Sequence, residues 1–582
     1  MTQTFLDSEY SRVHLETVDA LAEKLRSETL LIDGWEDILR RSIYGVATAH
    51  VGKPSVVLGL RDLTGHRGNA AKIVETAQSC LKEMGVVDAG CLLAVVTDNP
   101  SVMQKFRKEI EQLYSWIITL ACFCHLLNIT VGEILSYKPA KAQASRANRI
   151  MTFFNGSHFW GGQLKVLALA DAITRGLKRN CESRWYALIL LCLSVQAHRV
   201  PLNTLIARPD ARKSQNGLSI VHADVRTTVQ DYDDSFWPMI DQLICVAKPL
   251  VDAIAVCESQ SATLADCMLQ FLGAARKVAN VSQEEGDDPE FLTHAHTTLD
   301  KRFWLIATPL HRLALFLHPL CRKLAVLEYE GFTLRDLKLT ALTISKEKWN
   351  WSREDCAQLG QDVDDYYACR KGFEGGNKDP CAWWKSLTMN SEKHKLKLFA
   401  VAILSIVPHA AEIKRLFSSL NRIQSPKRNG LSIPTFDKLA KLRSYYAEEV
   451  RHQTGKVASS ERRFTQIHSE EGPVLEKSGN LDVWEGPMHS AVDGLDGNAD
   501  DDEPMSGVEV VFRDVERTLE EEKSNGSLTA AGPSLRSLMK GELYDFKLVK
   551  AALDCIVPQE VVDTVDVVKA PSNGDWSIED ML

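Results

Sequence analysis

The chain has 582 residues, of which 45% are apolar and 25% charged, a balance that excludes a wholly disordered or fibrous protein. The length exceeds what one compact core usually needs, so two or three packed bodies are expected. The formal charge of −9 is unevenly spread: residues 451–582 hold 13 Lys+Arg against 27 Asp+Glu, a net of −14, while residues 1–450 hold 55 against 50, a net of +5. The acidic total therefore speaks against nucleic acid only for the last quarter, and the mildly basic body does not exclude such a partner.

Residues 1–27 read as a short helix with Val18, Leu21, Ala22 and Leu25 on its apolar side. Leu30, Leu31 and Ile32 then run into Asp33-Gly34-Trp35, the pattern of a buried strand ending in an acid. Residues 43–51 and 55–63 form two more strands joined by a Gly-Lys-Pro turn. Residues 69–84 have helical periodicity, and 92–97 (LLAVVT) form an apolar run that delivers Asp98 at its end. A helix over 101–114 and a strand over 116–122 complete a mixed α/β sheet.

From residue 125 to 392 the patterns are helical, with 185–195 and 303–326 as largely apolar helices and 282–289 as an exposed loop. Residues 395–407 and 410–420 form a helical pair broken near Pro408, and Pro434 suits the start of a helix over 435–450. Residues 455–525 are polar, Gly-rich and acidic, the composition of a disordered segment, and 541–557 fit one short amphipathic helix. The expected division is a helix over 1–27, the first part of the sheet over 28–135, a helical body over 136–392, C-terminal helices over 393–450 that complete the core, and a largely disordered acidic tail over 451–582.

The 14 cysteines run from Cys80 to Cys555 without a Cys-x-x-Cys pair, as expected of free thiols in a reducing compartment such as the cytoplasm. The N-terminus lacks an apolar signal core. The longest apolar stretch, 115–135, contains Cys122, Cys124, His125, Asn128 and Glu133 and reads as a strand followed by a helix rather than a membrane span.

Two acids close apolar strand runs, Asp33 and Asp98. Carboxylates that converge from one sheet can hold hard cations such as magnesium, and a pair of such ions supports phosphodiester chemistry. Plainer roles fit the same residues: Asp33 begins a turn with Gly34, and Asp98-Asn99-Pro100 caps the next helix.

The ordered set Asp33-Gly34-Trp35, Val95-Val96-Thr97-Asp98-Asn99 and Cys122-Phe123-Cys124-His125-Leu126-Leu127-Asn128 resembles the hAT superfamily of DNA transposases. Cys181-Glu182-Ser183-Arg184-Trp185 resembles that family's Cys-Glu-Thr-Arg-Trp element. Trp383-Trp384, the block from Pro408 to Ser418, and Ser425-Pro426-Lys427-Arg428-Asn429 resemble its C-terminal dimerisation region. The match covers roughly residues 28–450 in the family's order. It implies an RNase H-like mixed sheet interrupted by a long all-helical insertion, a nuclear location, and an acid triad working with Mg2+ or Mn2+.

Asp33 and Asp98 match the first two acids as catalytic residues and metal ligands. The third position, where the family has glutamate, is Lys414. An ammonium cannot ligate a dication and repels one nearby. Glu412 is two helical positions away, about 200° around the helix, and is expected to face elsewhere. The resemblance further implies DNA contacts from His125, Arg184 and Trp185, and a dimer contact through Trp384, Leu416, Phe417 and Leu420. Plainer roles are a core histidine, a core tryptophan and a self-contained apolar core.

Zinc needs a tetrahedral ligand set, and no cysteine precedes Cys80, so no N-terminal zinc finger is expected. Basic residues such as Arg208, Arg212, Lys213, Lys427 and Arg428 then support only weak, salt-sensitive DNA binding. The expected protein is a transposase-derived homo-oligomer, impaired as an enzyme and without a membrane segment. Two rivals stand beside it: an active metal-dependent transposase or nuclease using a displaced acid, and a non-enzymatic interaction scaffold.

Overall fold

Among the described residues, five strands form one mixed sheet in the order β3-β2-β1-β4-β5. They are β1 (Glu28–Glu36), β2 (Ser42–Ala49), β3 (Val56–Asp62), β4 (Leu92–Thr97) and β5 (Ile118–Ala121). The first three pair antiparallel, as short connections allow; β4 then returns parallel to β1, and β5 parallel to β4. The computed structural model describes residues 3–454 except 25, 67, 180–184, 214–219, 232–234 and 425–429, together with 507–524 and 546–556.

The sheet is covered on both faces, which is why its central strands are almost wholly apolar. The two-residue alternation of β1 sends Leu30 and Ile32 to one face and Leu31 to the other. The first face packs against α1 (Gln3–Ala22), α2 (Ala70–Glu83) and α3 (Ser101–Leu113), through Leu21, Ile73, Ala77, Met103 and Phe106. Asn69 caps α2 by accepting from the Lys72 amide. The second face belongs to a far larger core that begins with α4 (Phe123–Leu135), directly after β5.

The helical body follows as α5 (Lys138–Gly156), α6 (His158–Ala170), α7 (Trp185–Ala197), α8 (Arg199–Ile206), α9 (Pro209–Arg212), α10 (Ala223–Gln230), α11 (Phe236–Cys257) and α12 (Leu264–Ala279). It continues as α13 (Pro289–Ile306), α14 (Pro309–Leu317), α15 (Leu334–Thr343), α16 (Arg353–Tyr367) and α17 (Pro380–Ser386). Then α18 (Lys395–Ser405), α19 (Ala411–Ile423) and α20 (Ile433–Thr454) bring the chain back to the sheet. Among the described residues no single helix is long and apolar enough to cross a membrane.

Two expectations are corrected. Residues 303–326 are not one helix: α13 stops at Ile306, and Thr308 caps a new start at Pro309 by accepting from the His311 amide. Proline lacks the amide that would continue the ladder, so the break is local chemistry. The acidic tail also contains more order than its composition suggests. One helix spans Gly507–Ser524, and another, Phe546–Ile556, lies inside the expected 541–557. Phe512 and Val515 of the first are buried, with Leu519 packed beside them, one apolar stripe at three- and four-residue spacing. The rest of the tail lies outside the described residues.

Candidate functional site

Strand register brings the two acids together. Ile32 pairs with Thr97 across β1 and β4, so Asp33 and Asp98 each stand one residue further along neighbouring parallel strands. Both share the face of Leu31 and Val96, because side chains alternate. Thr97 pairs with Ala121, and the Cys122 amide donates to the Thr97 carbonyl at 2.7 Å. Asp33, Asp98 and Cys122 thus form a row at the carboxyl edge of the sheet, facing α4 and α19.

The third element arrives from far along the sequence. Gly45 lies opposite Asp33 on β2, and a Cβ there would stand only 2.9 Å from the Phe417 ring. The missing side chain makes the space in which α19 lies on the sheet. Phe417 stacks on Trp35 with 5.4 Å between ring centroids, a favourable offset arrangement. One turn before Phe417 on that helix, Lys414 reaches Asp33: Nζ is 3.6 Å from Oδ2. The other Asp33 oxygen accepts from the Gly34 amide at 2.9 Å.

Asp98 is placed differently. Its Oδ1 is shielded from solvent and has no hydrogen-bond partner. Burial, followed by the nearby charge of Asp33, pushes its carboxyl up to about 7 against the pull of Lys414 and Arg107. This is how two adjacent carboxylates behave when one cation serves both. Arg107, two turns into α3, clamps the strand-to-helix turn instead: it donates to Thr97 Oγ1 at 2.6 Å, the Asp98 carbonyl at 2.7 Å and Asn99 Oδ1 at 2.6 Å. Asp98 therefore does not cap α3; Pro100 holds the cap position with no side-chain bond.

Glu412 faces away, as the helical period requires. It pairs with Arg415 at 2.6 Å, and Arg415 also donates to the Glu258 carbonyl. Burial pushes Glu412 up, but the Arg415 charge and hydrogen bond outweigh it and leave the carboxyl below its ordinary range. It is thus an ionised partner in a different contact.

His125 lies in the first turn of α4, directly after β5. Burial, then the charges of Lys414, Arg107 and Arg302, depress it to about 3, so the imidazole is neutral and can only accept or donate a hydrogen bond. Burial likewise raises the Cys122 thiol, whose sulfur accepts from the Ala410 amide at 3.4 Å. This thiol links β5 to the start of α19.

The other expected residues lie elsewhere. Arg184 is outside the described residues, and Trp185 is described only as the first residue of α7. Trp384 is fully buried, packed at tilted and edge-on angles against Tyr366, Phe373 and Trp383, and its indole donates to the Leu317 carbonyl at 2.7 Å. Leu420 is fully buried, Phe417 nearly so, and Leu416 packs against the same core. Trp384, Phe417 and Leu420 are thus used by the chain's own interior, while Leu416 is only partly buried. Arg208 is engaged by Asp210 and Gln163, and Lys427 and Arg428 lie outside the described residues.

Sequence reasoning missed Arg107. Nothing distinguishes it from the other charges of α3 until the helix folds back over the end of β4. The groups at the row are two carboxylates, a thiol and an ammonium. Among the described residues, no three His, Cys, Asp or Glu side chains are grouped closely enough to hold a metal ion. The residues present do not fit a two-metal centre, because the third position carries a cation that repels one. The chain matches no family model, and no curated protein matches it.

Proposed function

We propose that the chain is a hAT-type transposase derivative that contacts nucleic acid without cutting it, its acid site neutralised from within by Lys414. The observation that carries this reading is the 3.6 Å approach of the Lys414 ammonium to Asp33, beside Asp98. The ammonium stands where a catalytic pair of acids would otherwise need an external cation, and it supplies one positive charge to two carboxylates.

The strand order supports an RNase H-like core: three antiparallel strands followed by two parallel ones, with the acids on the neighbouring central strands β1 and β4. The long helical run between β5 and α19, and the return of α19 to the sheet beside Asp33, support the interrupted arrangement that the sequence resemblance implies. The net charge of +5 over residues 1–450 supports contact with an anionic polymer. Dimerisation belongs to the same reading, through surfaces other than the buried Trp384 and Leu420.

The test is a cleavage assay on labelled duplex DNA with magnesium or manganese, run on the wild-type protein, Asp98→Ala and Lys414→Glu. No wild-type cleavage is expected. Metal-dependent cleavage by the wild type that is lost in Asp98→Ala would overturn the reading. Lys414→Glu removes the internal cation and adds a carboxylate, so it should raise the affinity for manganese, measured by calorimetry.

A further inference from the structure

Helix α4 begins at the acid site and ends at a second cluster of charges. In its last turn, Glu133 accepts from Arg302 Nε at 2.6 Å and also pairs with Lys301. The far side of the Arg302 guanidinium meets Glu522 of the tail helix Gly507–Ser524. Nη1 donates to Oε1 at 2.9 Å, and Nη2 lies 2.8 Å from Oε2 as an ion contact. Arg302 is 1% exposed. The same tail helix is anchored by the Lys141–Glu516 pair at 3.1 Å and by Phe512, whose ring lies under the Lys141 ammonium.

The charge count of this cluster is informative. The helical body contributes Lys301, Arg302 and one carboxylate, Glu133, so a positive charge is left over. The tail, 220 residues further along the chain, supplies the missing anion. Two cations set against one body carboxylate favour a second anion beside Arg302. A guanidinium edge binds the oxygens of a phosphate as readily as those of a carboxylate.

We propose that the tail helix Gly507–Ser524 is an exchangeable intramolecular ligand of an anion site formed by Lys141, Lys301 and Arg302, and that it competes there with the phosphates of nucleic acid. This rests on the nucleic-acid reading above and adds its regulation. Glu133, the body carboxylate that holds Lys301 and Arg302, lies on the same helix as His125. The tail's net charge of −14 opposes the body's +5, which favours the docked state at low salt and weakens it as salt rises.

The experiment uses the full-length protein and two variants. Glu522→Gln neutralises the tail's anion, and Phe512→Asp disrupts its apolar anchor, placing a carboxylate near Lys141 but leaving Glu133, Lys301 and Arg302 in place. Hydrogen exchange over residues 507–524 reports docking, and fluorescence anisotropy of a short labelled DNA duplex across a salt series reports binding. If the docked form holds about nine molecules in ten, release raises the apparent affinity about tenfold. The log–log salt slope should steepen by about one to two units as Arg302 and Lys301 gain phosphates. Adding Arg302→Gln to Phe512→Asp should cancel that gain.

Loss of exchange protection in either variant with unchanged DNA affinity would overturn the competition while leaving wild-type DNA binding, and hence the underlying reading, in place. Unaltered protection in both variants would overturn the exchangeable ligand. Absence of DNA binding by every form at the lowest salt would overturn both.

Discussion

Asp98 and His125 titrate in opposite senses, and this gives a signature in stability against pH. The Asp98 carboxyl, about 7 in the folded chain, lies above its unfolded value near 3.9. The native state therefore holds more protons between those values, and stability falls as pH rises through that window. His125, depressed to about 3, lies below its unfolded value near 6.5. There the unfolded state holds more protons, and stability rises with pH. Over the shared window, about pH 4 to 6.5, the two slopes oppose each other. Asp98→Asn removes only the first. Relative to wild type, its melting temperature should therefore be higher at pH 8 than at pH 4, by scanning calorimetry at both. An equal difference at the two pH values would contradict the raised carboxyl.

Among the secondary-structure elements, the contact that decides the site is α19 against β1 and β2. Its amphipathic pattern is legible in the sequence, but its partner is not: Gly45 and Phe417 are more than 370 residues apart and meet only because the glycine leaves a space the ring fills. Gly45→Ala places a carbon 2.9 Å from that ring and should cost about 1–3 kcal/mol through overpacking. Phe417→Ala should cost about 3–5 kcal/mol through the cavity left beside Trp35. Because the two residues touch, the double variant should cost less than the sum of the two, measured as shifts of the denaturation midpoint. Strict additivity would mean that α19 is positioned by something else.

Across the whole molecule, several large cations are buried away from the site. Arg322 is held by the carbonyls of Pro319, Tyr366, Phe373 and Gly375 and lies over the rings of Tyr366 and Trp383. Through these carbonyls it ties the segment after α14 to the end of α16. A lysine there has fewer donors and no planar face. Arg322→Lys should therefore leave carbonyls unsatisfied and destabilise the helical body by about 2–4 kcal/mol, each lost bond costing about 1–3 kcal/mol. Thermal unfolding followed by circular dichroism would detect this, and an unchanged transition would mean that the cage is dispensable.

Local chemistry determined much of this protein directly from its sequence. Apolar runs marked all five strands, Asp33 and Asp98 stood visibly at two of their ends, and the helical period alone turned Glu412 away from Lys414. Opposite charge in body and tail was also legible, since composition needs no fold. Tertiary structure decided which distant groups share one space. It brought Arg107 back onto its own strand end, Lys414 to Asp33 and Glu522 to Arg302, and enclosed Trp384 in the interior. Such pairings depend on strand register and close packing across hundreds of residues, and no local pattern of residue types encodes them. The acidic tail illustrates the difference: its charge is a property of the sequence, but the buried cation it neutralises exists only once the chain has folded.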